Sequence, residues 1–410
     1  MNLILKNPAG IVTCSSSGKR FKRGNEMNDI GLVVGADILV EGGVIKEIGT
    51  VAERPDCDVF DVSGKIIVPG FVDSHTHLIF AGTREREFAM RAKGKTYGEI
   101  AAAGGGIIDT VRKTREMPRS KLRSQAQRRL DKMLKWGSTA VEIKSGYGLD
   151  FATEMRILET ANELKEQAIT DIVVTFLGAH ALPPEHANNR ENYIRIVIEE
   201  LIPQIARKNL ADFCDVFCDE GFFTTAETEK ILKSARDNGL RLKMHADELA
   251  SNGGVELAAA LNVVSVDHLE NISAGEIELL AKSETVGVVL PSVAPYIRGK
   301  VAPARQMIDS GCALAIASDF NPGTSMVDNM QTVMWLAVSL NQMTVEEALN
   351  AATINAAAAV GLSDRLGSIE VGKQADMIIL NAEDYSYLPY HFTENIIANV
   401  VKNGTVLEFS

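Results

Sequence analysis

The stretch that decides the fold is residues 65–77, KIIVPGFVDSHTH, in which a short apolar run leads directly into two histidines. The run Lys65–Val72 is typical of a strand that is buried on both faces of a sheet. Seven similar runs follow along the chain, separated by amphipathic segments: Thr139–Lys144, Asp171–Leu177, Phe213–Cys218, Leu240–His245, Val263–Val266, Val286–Leu290 and Ala313–Ala317. Strands separated by helices pair in parallel through right-handed crossovers, and eight such units close into a barrel.

The segments between these runs carry helix signals. Residues 120–136 form a basic amphipathic stretch that stops at Gly137. Ser273 with Glu276 has the spacing of a capping box at the start of a helix.

Both ends of the chain have a different pattern, in which short β-like runs, among them residues 367–373 (GSIEVGK), alternate with glycine-containing turns. Neither end is long enough to enclose a convincing core by itself, so we expect the two ends to meet. The sequence therefore predicts an α/β protein with a (β/α)8 TIM-like barrel over residues 65–365. Residues 1–64 and 366–410 are predicted to form one small composite β-sandwich domain.

Composition excludes several classes of function. Of 410 residues, 46% are hydrophobic and 23% are charged, which is the balance of a globular protein with a large core. The formal net charge of −12 argues against nucleic acid as a partner. Apolar runs are too short to span a membrane, and the start does not resemble a signal peptide. An odd number of scattered cysteines favours reduced thiols and a cytoplasmic location.

The polar residues that follow the predicted strands point to a metal site. In a parallel barrel the active site lies at the carboxyl ends of the strands. His75 and His77 share one face of an extended segment that follows the first strand, and His245, His268 and Asp319 close the fifth, sixth and eighth strands. Three histidines and an aspartate from this set match a catalytic zinc or iron site that leaves a position for water.

Two cysteines, Cys214 and Cys218, offer a second possible metal pair. Because no other Cys or His pair has matching spacing, we interpret them as part of a buried strand.

Several motifs resemble those of a known family. The motif Gly70–His77 (GFVDSHTH), the later His and Asp residues and the tail Gly372–Asp376 (GKQAD) resemble motifs of the amidohydrolase superfamily. The resemblance is closer to the imidazolonepropionase family within it, and it rests on five further motifs: Phe80–Arg84 (FAGTR), Lys144–Gly148 (KSGYG), Gly178–Ala181 (GAHA), His245–Glu248 (HADE) and Ser318–Thr324 (SDFNPGT). The match runs over nearly the whole chain.

The resemblance implies a metal-dependent hydrolase. Its substrate would be the small molecule 4-imidazolone-5-propanoate, which is converted to N-formimidoyl-L-glutamate in histidine degradation. One zinc or iron ion would be held by His75, His77, His245 and Asp319. Many relatives bridge two metals with a carboxylated lysine on the fourth strand, but here that strand ends Cys-Asp-Glu, which favours a single ion. The family also suggests a homodimer.

The resemblance, together with the chemistry of the expected reaction, implies roles for the residues around the metal. Asp319 is placed to take a proton from water, Glu248 to pass one to the departing ring nitrogen, and His268 to stabilise developing negative charge. Arg84 offers a planar donor for the propanoate carboxylate. The other predicted substrate-binding residues are Tyr147, His180, Glu248, Asn321, Gly323 and Thr324. Lys144, on the second strand, is interpreted as structural.

Two other functions stay open at this stage. A related mononuclear amidohydrolase or deaminase could act on another heterocycle, although an uncharged base would leave Arg84 without a carboxylate. A non-catalytic barrel relative is the alternative from another class, but such proteins typically lose metal ligands that are present here.

Overall fold

The computed structural model describes residues 2–95, 99–100 and 104–409. Its centre is an eight-stranded sheet in which every neighbouring pair is parallel and each strand pairs with the next one in sequence. The strands are Phe71–Asp73, Ser138–Lys144, Asp171–Ala179, Phe213–Cys218, Arg241–Ala246, Ser265–His268, Val286–Val289 and Leu314–Ile316. The predicted (β/α)8 barrel is therefore confirmed, and each of the eight predicted runs contains or overlaps one strand. Below, we number these barrel strands from one to eight.

The first and last strands meet at the carboxyl rim. Asp319 N donates to His75 O and His77 N donates to Phe320 O, both at 3.0 Å. Inside the rim, the carboxylate of Asp73 accepts from the backbone nitrogen and the hydroxyl of Ser318 at 3.0 and 2.6 Å. These bonds join the segments that carry the predicted metal ligands.

Helices fill the connections between the strands. The described α-helices are Glu85–Ala92, Ile107–Glu116, Arg119–Lys135, Phe151–Gln167, Arg190–Ile196, Ile202–Arg207, Thr225–Asp237, Gly254–Leu261, Ala274–Lys282, Val293–Ile297, Ala304–Asp309, Met330–Ser339, Val345–Ala352, Ile354–Ala359 and Tyr387–Tyr390. A π-helix covers Val197–Leu201, and 3₁₀ turns cover Gly24–Asn28 and Pro184–His186. The predicted capping box is present, because Ser273 and Glu276 each accept from the other's backbone nitrogen. No described helix combines the length and apolar character needed to cross a bilayer.

Two further sheets come from the chain ends. A four-stranded sheet has the order Val44–Gly49, Asp37–Glu41, Asn2–Lys6 and Asp58–Asp61. A six-stranded sheet has the order Thr405–Leu407, Ile397–Lys402, Met377–Leu380, Ile66–Pro69, Gly10–Val12 and Leu32–Val33. Buried side chains of both sheets, among them Leu5, Ile38 and Met377, share one hydrophobic cluster. Both ends therefore contribute to one sandwich, whereas its limits as a domain, 1–64 and 366–410, stay a prediction.

Two predicted β segments were wrong in detail. The run Lys65–Val72 is not one barrel strand: Ile66–Pro69 pairs with the terminal sheet, and only Phe71–Asp73 enters the barrel. The chain changes sheets at Gly70, where a Cβ would lie 2.3 Å from Oγ1 of Thr139, so the crossing requires glycine. Residues 367–373 form turns instead of a strand, with Gly367 and Gly372 at φ +89° and +93°.

Candidate metal centre and active site

All of the predicted site residues except His75 and Gly323 line one cavity at the carboxyl ends of the barrel strands. The ends of strands four, five and six and the loops after strands one to five and eight contribute to it, which is why residues distant in sequence meet. The described lining consists of His77, Arg84, Ile107, Tyr147, His180, Phe217, Phe222, His245, Glu248, Leu249, His268, Asp319, Asn321 and Thr324. Phe217 and Phe222, which stack at 4.0 Å, add an apolar wall that the sequence did not identify.

Three imidazoles form the centre of the site. His75, His77 and His245 each offer a nitrogen, and these three atoms lie within 4.8 Å of one another. The ring centroids of His75 and His245 are 4.5 Å apart, and those of His75 and His77 are 5.3 Å apart. Oδ1 of Asp319 lies 3.4 Å from Nε2 of His75 and 3.5 Å from Nε2 of His77. The four predicted ligands therefore lie together.

Two buried carboxylates orient the histidines from behind. Nδ1 of His75 lies 2.7 Å from Oδ2 of Asp267, and Nδ1 of His245 lies 2.9 Å from Oδ2 of Asp215. The contact of His75 is a hydrogen bond, and such a bond directs the proton to Nδ1 and leaves the lone pair on Nε2, which is the usual arrangement for histidines that bind metal. The contact of His245 has the distance of an ion pair without the geometry of a hydrogen bond. Sequence reasoning missed both roles, although Asp215, a charged residue inside the apolar run FCDVFC, was a visible signal.

The chemistry of these histidines fits a cation. Burial is the largest cause that holds the pKa values of His75, His77 and His245 well below the usual range, and nearby positive charge adds to it. The three rings are therefore neutral. Nε2 of His75 and Nε2 of His245 are buried and have no hydrogen-bond partner among the described residues. A buried acceptor that has neither water nor a hydrogen-bond donor raises the free energy of the folded chain. A bound metal ion would satisfy both lone pairs at once.

Asp319 is held by its own loop. Its φ of +48° is uncommon for a residue with a side chain and marks local strain of the kind found at functional sites. Oδ2 accepts from Nδ2 of Asn321 at 2.9 Å and from the hydroxyl of Thr324 at 3.0 Å. These two bonds turn Oδ1 towards the histidines.

Asn321 and Gly323 make contacts within the loop that carries Asp319 and with Arg84, and the sequence did not reveal these contacts. The amide of Asn321 donates to Asp319 and Thr324 and accepts from the backbone nitrogens of Gly323 and Thr324. Gly323 is not among the described residues that line the cavity. A Cβ on it would lie 2.1 Å from Nη1 of Arg84, so Gly323 lets the guanidinium approach the loop closely.

Glu248 and His268 form an opposed pair beside the imidazole cluster. Nε2 of His268 lies 3.6 Å from Oε2 of Glu248, and its Nδ1 lies 3.5 Å from Oε2 of Glu270. Burial raises the pKa of Glu248 to about 7, although His268 opposes the shift. Burial lowers the pKa of His268, but Glu248 and Glu270 outweigh it and raise the pKa to about 10. A cation and a carboxyl that titrates near neutrality therefore face the same cavity.

His180 and Tyr147 lie on the far side of His77. The rings of His180 and His77 stack at 4.9 Å, and that of Tyr147 lies 5.4 Å from His180. Nδ1 of His180 donates to the carbonyl of Gly146 at 3.0 Å, since a carbonyl can only accept. Burial lowers the pKa of His180 to about 4, so the neutral ring keeps Nε2 as an acceptor.

A fully buried ion cluster supports the site from inside the barrel. Nζ of Lys144 lies 2.6 Å from Asp215 and 3.3 Å from Asp267, which are the carboxylates behind His245 and His75. Lys243 and Glu142 complete the cluster at 2.8 Å from each other. These carboxylates hold the pKa of Lys144 above its ordinary value despite burial. Its contacts agree with the structural role expected of Lys144.

Cys214 and Cys218 are free and buried in the fourth barrel strand, as expected. They do not belong to the metal-binding group found among the described residues.

Solved structures with the same architecture cover almost the whole chain. An N-isopropylammelide isopropylaminohydrolase from Burkholderia multivorans covers 99% of this chain and 98% of its own, with a TM-score of 0.71 and 18% identity. An adenosine deaminase from Xanthomonas campestris with bound zinc covers 98% and 92%, with a TM-score of 0.69 and 18% identity. At this identity the likeness establishes the fold.

Sequence relatives are much closer. Residues 66–407 match the model of the amidohydrolase family. The imidazolonepropionase of Clostridium tetani is 42% identical over 99% of this chain and 98% of its own. That of Parabacteroides distasonis is 44% identical over 98% of both chains. The chain therefore belongs to the amidohydrolase family and, within it, to the imidazolonepropionases.

Proposed function

We propose that the chain hydrolyses 4-imidazolone-5-propanoate to N-formimidoyl-L-glutamate in histidine degradation. The observation that carries the proposal is the cluster of His75, His77 and His245, in which Nε2 of His75 and Nε2 of His245 are unpaired among the described residues. The chain that carries it is 42% identical to an imidazolonepropionase over 99% of its length. One zinc or iron ion per chain would be held by these histidines and Asp319. Both metals accept such a donor set, so the donors do not choose between them.

The bound ion supplies one kind of chemistry, which is to lower the pKa of water from about 15.7 towards 7. Asp319 takes the proton of the attacking water. Its carboxylate is held in place for this by hydrogen bonds from Asn321 and Thr324. Glu248, with a pKa near 7, donates a proton to the departing ring nitrogen as the C–N bond breaks. His268, held cationic by Glu248 and Glu270, stabilises the negative charge that develops on the carbonyl oxygen.

The two ends of the substrate, its charged propanoate and its ring, are bound by different residues. Arg84 is buried in the wall and binds the propanoate carboxylate. His180 accepts a hydrogen bond from a ring N–H through Nε2, and Tyr147 contacts the ring beside it. Asn321 and Thr324 line the cavity and contact the substrate, and Asn321 also shapes the loop that carries Asp319. Gly323 acts by leaving room for the guanidinium of Arg84.

Three further points belong to the proposal. We expect a homodimer, which light scattering on the purified protein tests directly. We expect a cytoplasmic enzyme, in keeping with five free cysteines. We expect neither nucleic acid nor membrane as a partner, in keeping with the net charge of −12.

The test is turnover of freshly prepared 4-imidazolone-5-propanoate, followed by loss of the ring absorbance and by appearance of N-formimidoyl-L-glutamate. The native chain is expected to be active, to lose activity with a chelator and to regain it with zinc or iron. His245→Ala should be inactive, while the matched control His186→Ala, which removes a histidine outside the cavity, should keep native activity. Deamination of another heterocycle without turnover of this substrate would favour the alternative hydrolase. A native protein that holds no metal, and that shows no activity after metal is added, would favour a non-catalytic relative.

A further inference from the structure

A second group of charged residues surrounds Arg84 without lining the cavity. Glu87 lies one turn after Arg84, in the helix Glu85–Ala92, and its carboxylate is buried. Oε2 of Glu87 accepts from Nη2 of Arg84 at 2.9 Å and lies 3.6 Å from Nη2 of Arg91. Arg84 is therefore fixed by a charged bond to a partner that is itself shielded from water.

The other oxygen of Glu87 holds a different part of the cavity wall. Oε1 accepts from the backbone nitrogen of Gly106 at 2.9 Å. Gly106 is the residue before the helix Ile107–Glu116, and Ile107 lines the cavity. One carboxylate thus joins the side chain of Arg84 to the start of the helix that faces it.

Arg91 extends the same connection to the loop after the eighth strand. Nη1 of Arg91 donates to the carbonyl of Gly323 at 2.8 Å. Gly323 in turn lies against the guanidinium of Arg84, close enough that a Cβ would clash with it. Arg84 therefore lies between Glu87 on one side and Gly323 on the other. Its Nε is buried and has no hydrogen-bond partner among the described residues.

We propose that Glu87 is a positioning residue for substrate recognition, which acts through Arg84. An arginine side chain loses conformational entropy when it binds a ligand, because several of its bonds can no longer rotate freely. A side chain that is already held in place loses less. Glu87 holds Arg84 before substrate arrives, so the guanidinium in the cavity wall is already in place for the substrate's carboxylate. The inference rests on the proposed function, because that function supplies the carboxylate.

The test is a double-mutant cycle of Glu87→Gln and Arg84→Ala with 4-imidazolone-5-propanoate as substrate. Glu87→Gln keeps the size of the side chain but turns an N–H group or a neutral oxygen towards Arg84. We expect about a fivefold to tenfold higher KM, the usual size of a coupling between contacting residues, with kcat within twofold of native. In the Arg84→Ala background, Glu87→Gln should raise KM no further. Glu85→Gln, which changes an exposed carboxylate on the same helix, is the matched control and should leave both constants unchanged.

The outcomes are distinguishable. A native KM in Glu87→Gln, or an equal rise of KM in both backgrounds, would overturn the inference while the proposed function stands. A lower kcat with a native KM in Glu87→Gln, or a lower metal content of that variant, would also overturn the inference, because a merely structural role predicts those changes. If Glu87→Gln does not fold, Glu87→Asp keeps the charge and decides: a higher KM with native kcat supports the inference, and a native KM overturns it. Absence of turnover by the native chain would overturn the proposed function, and the inference with it.

Discussion

The backbone nitrogen of Asp319 donates to the carbonyl oxygen of His75 at 3.0 Å. This bond closes the barrel at the point where two proposed ligands leave the first and eighth strands. The spacing of those ligands is therefore set by the backbone of the fold, and the carboxylates behind the histidines set only their orientation.

Asp267→Asn should weaken metal binding. The change removes the negative charge that orients His75 and makes its Nε2 a stronger donor to a cation, and loss of such a partner typically costs about 10-fold to 100-fold in metal affinity. Competition with a chromophoric chelator measures this affinity. Asp237→Asn, an exposed carboxylate at a helix end, is the control. Equal affinities in the Asp267 variant and the native chain would show that the carboxylate does not support the metal site.

Gly323→Ala should impair substrate binding by a steric route. The new methyl group would lie 2.1 Å from Nη1 of Arg84, so the guanidinium must move away. We expect KM to rise by about tenfold or more, since a displaced charged bond typically costs 1.5–3 kcal/mol. Gly275→Ala, where a Cβ meets nothing within 4 Å, should behave as native. Identical kinetics in the two variants would contradict the placement of Arg84.

Glu248→Gln should lower kcat by about 10²–10⁴-fold while metal content stays native, because the amide cannot donate the proton that the leaving nitrogen needs. In the native enzyme the same requirement gives a pH dependence. The pKa of Glu248 is about 7, so raising the pH through 7 removes its proton and activity should fall on the alkaline side. Steady-state kinetics from pH 5.5 to 9 check both statements. Turnover near the native rate in Glu248→Gln would remove the residue from this role.

Asp73 should make stability depend on pH. Burial raises the pKa of its carboxyl from 3.8 to about 7, so the folded chain binds this proton more tightly than the unfolded chain does. The contribution of Asp73 to stability is therefore absent above pH 7 and grows as the pH falls from 7 towards 3.8. Between pH 8 and pH 6 we expect a gain of about 1 kcal/mol relative to Asp73→Asn. Urea unfolding of both proteins at the two pH values measures it, and parallel responses would contradict the assignment.

The barrel strands could be predicted because strands buried on both faces leave an unbroken apolar run, as Val286–Val289 does. The division at Gly70 could not be, since both halves of the run are apolar and only the contact with Thr139 separates them. The histidines were predictable from their positions after the strands. Partners such as Asp267 and Glu87 were not, because their roles depend on which side chains the fold brings within 3 Å.

Anomalous diffraction from crystals of the native protein, recorded above and below the zinc and iron absorption edges, tests the central claim most directly. The account predicts one anomalous peak per chain, within bonding distance of Nε2 of His75, Nε2 of His245, a ring nitrogen of His77 and Oδ1 of Asp319. A metal-loaded crystal with two peaks in the cavity, or with its peak away from these four side chains, would contradict it.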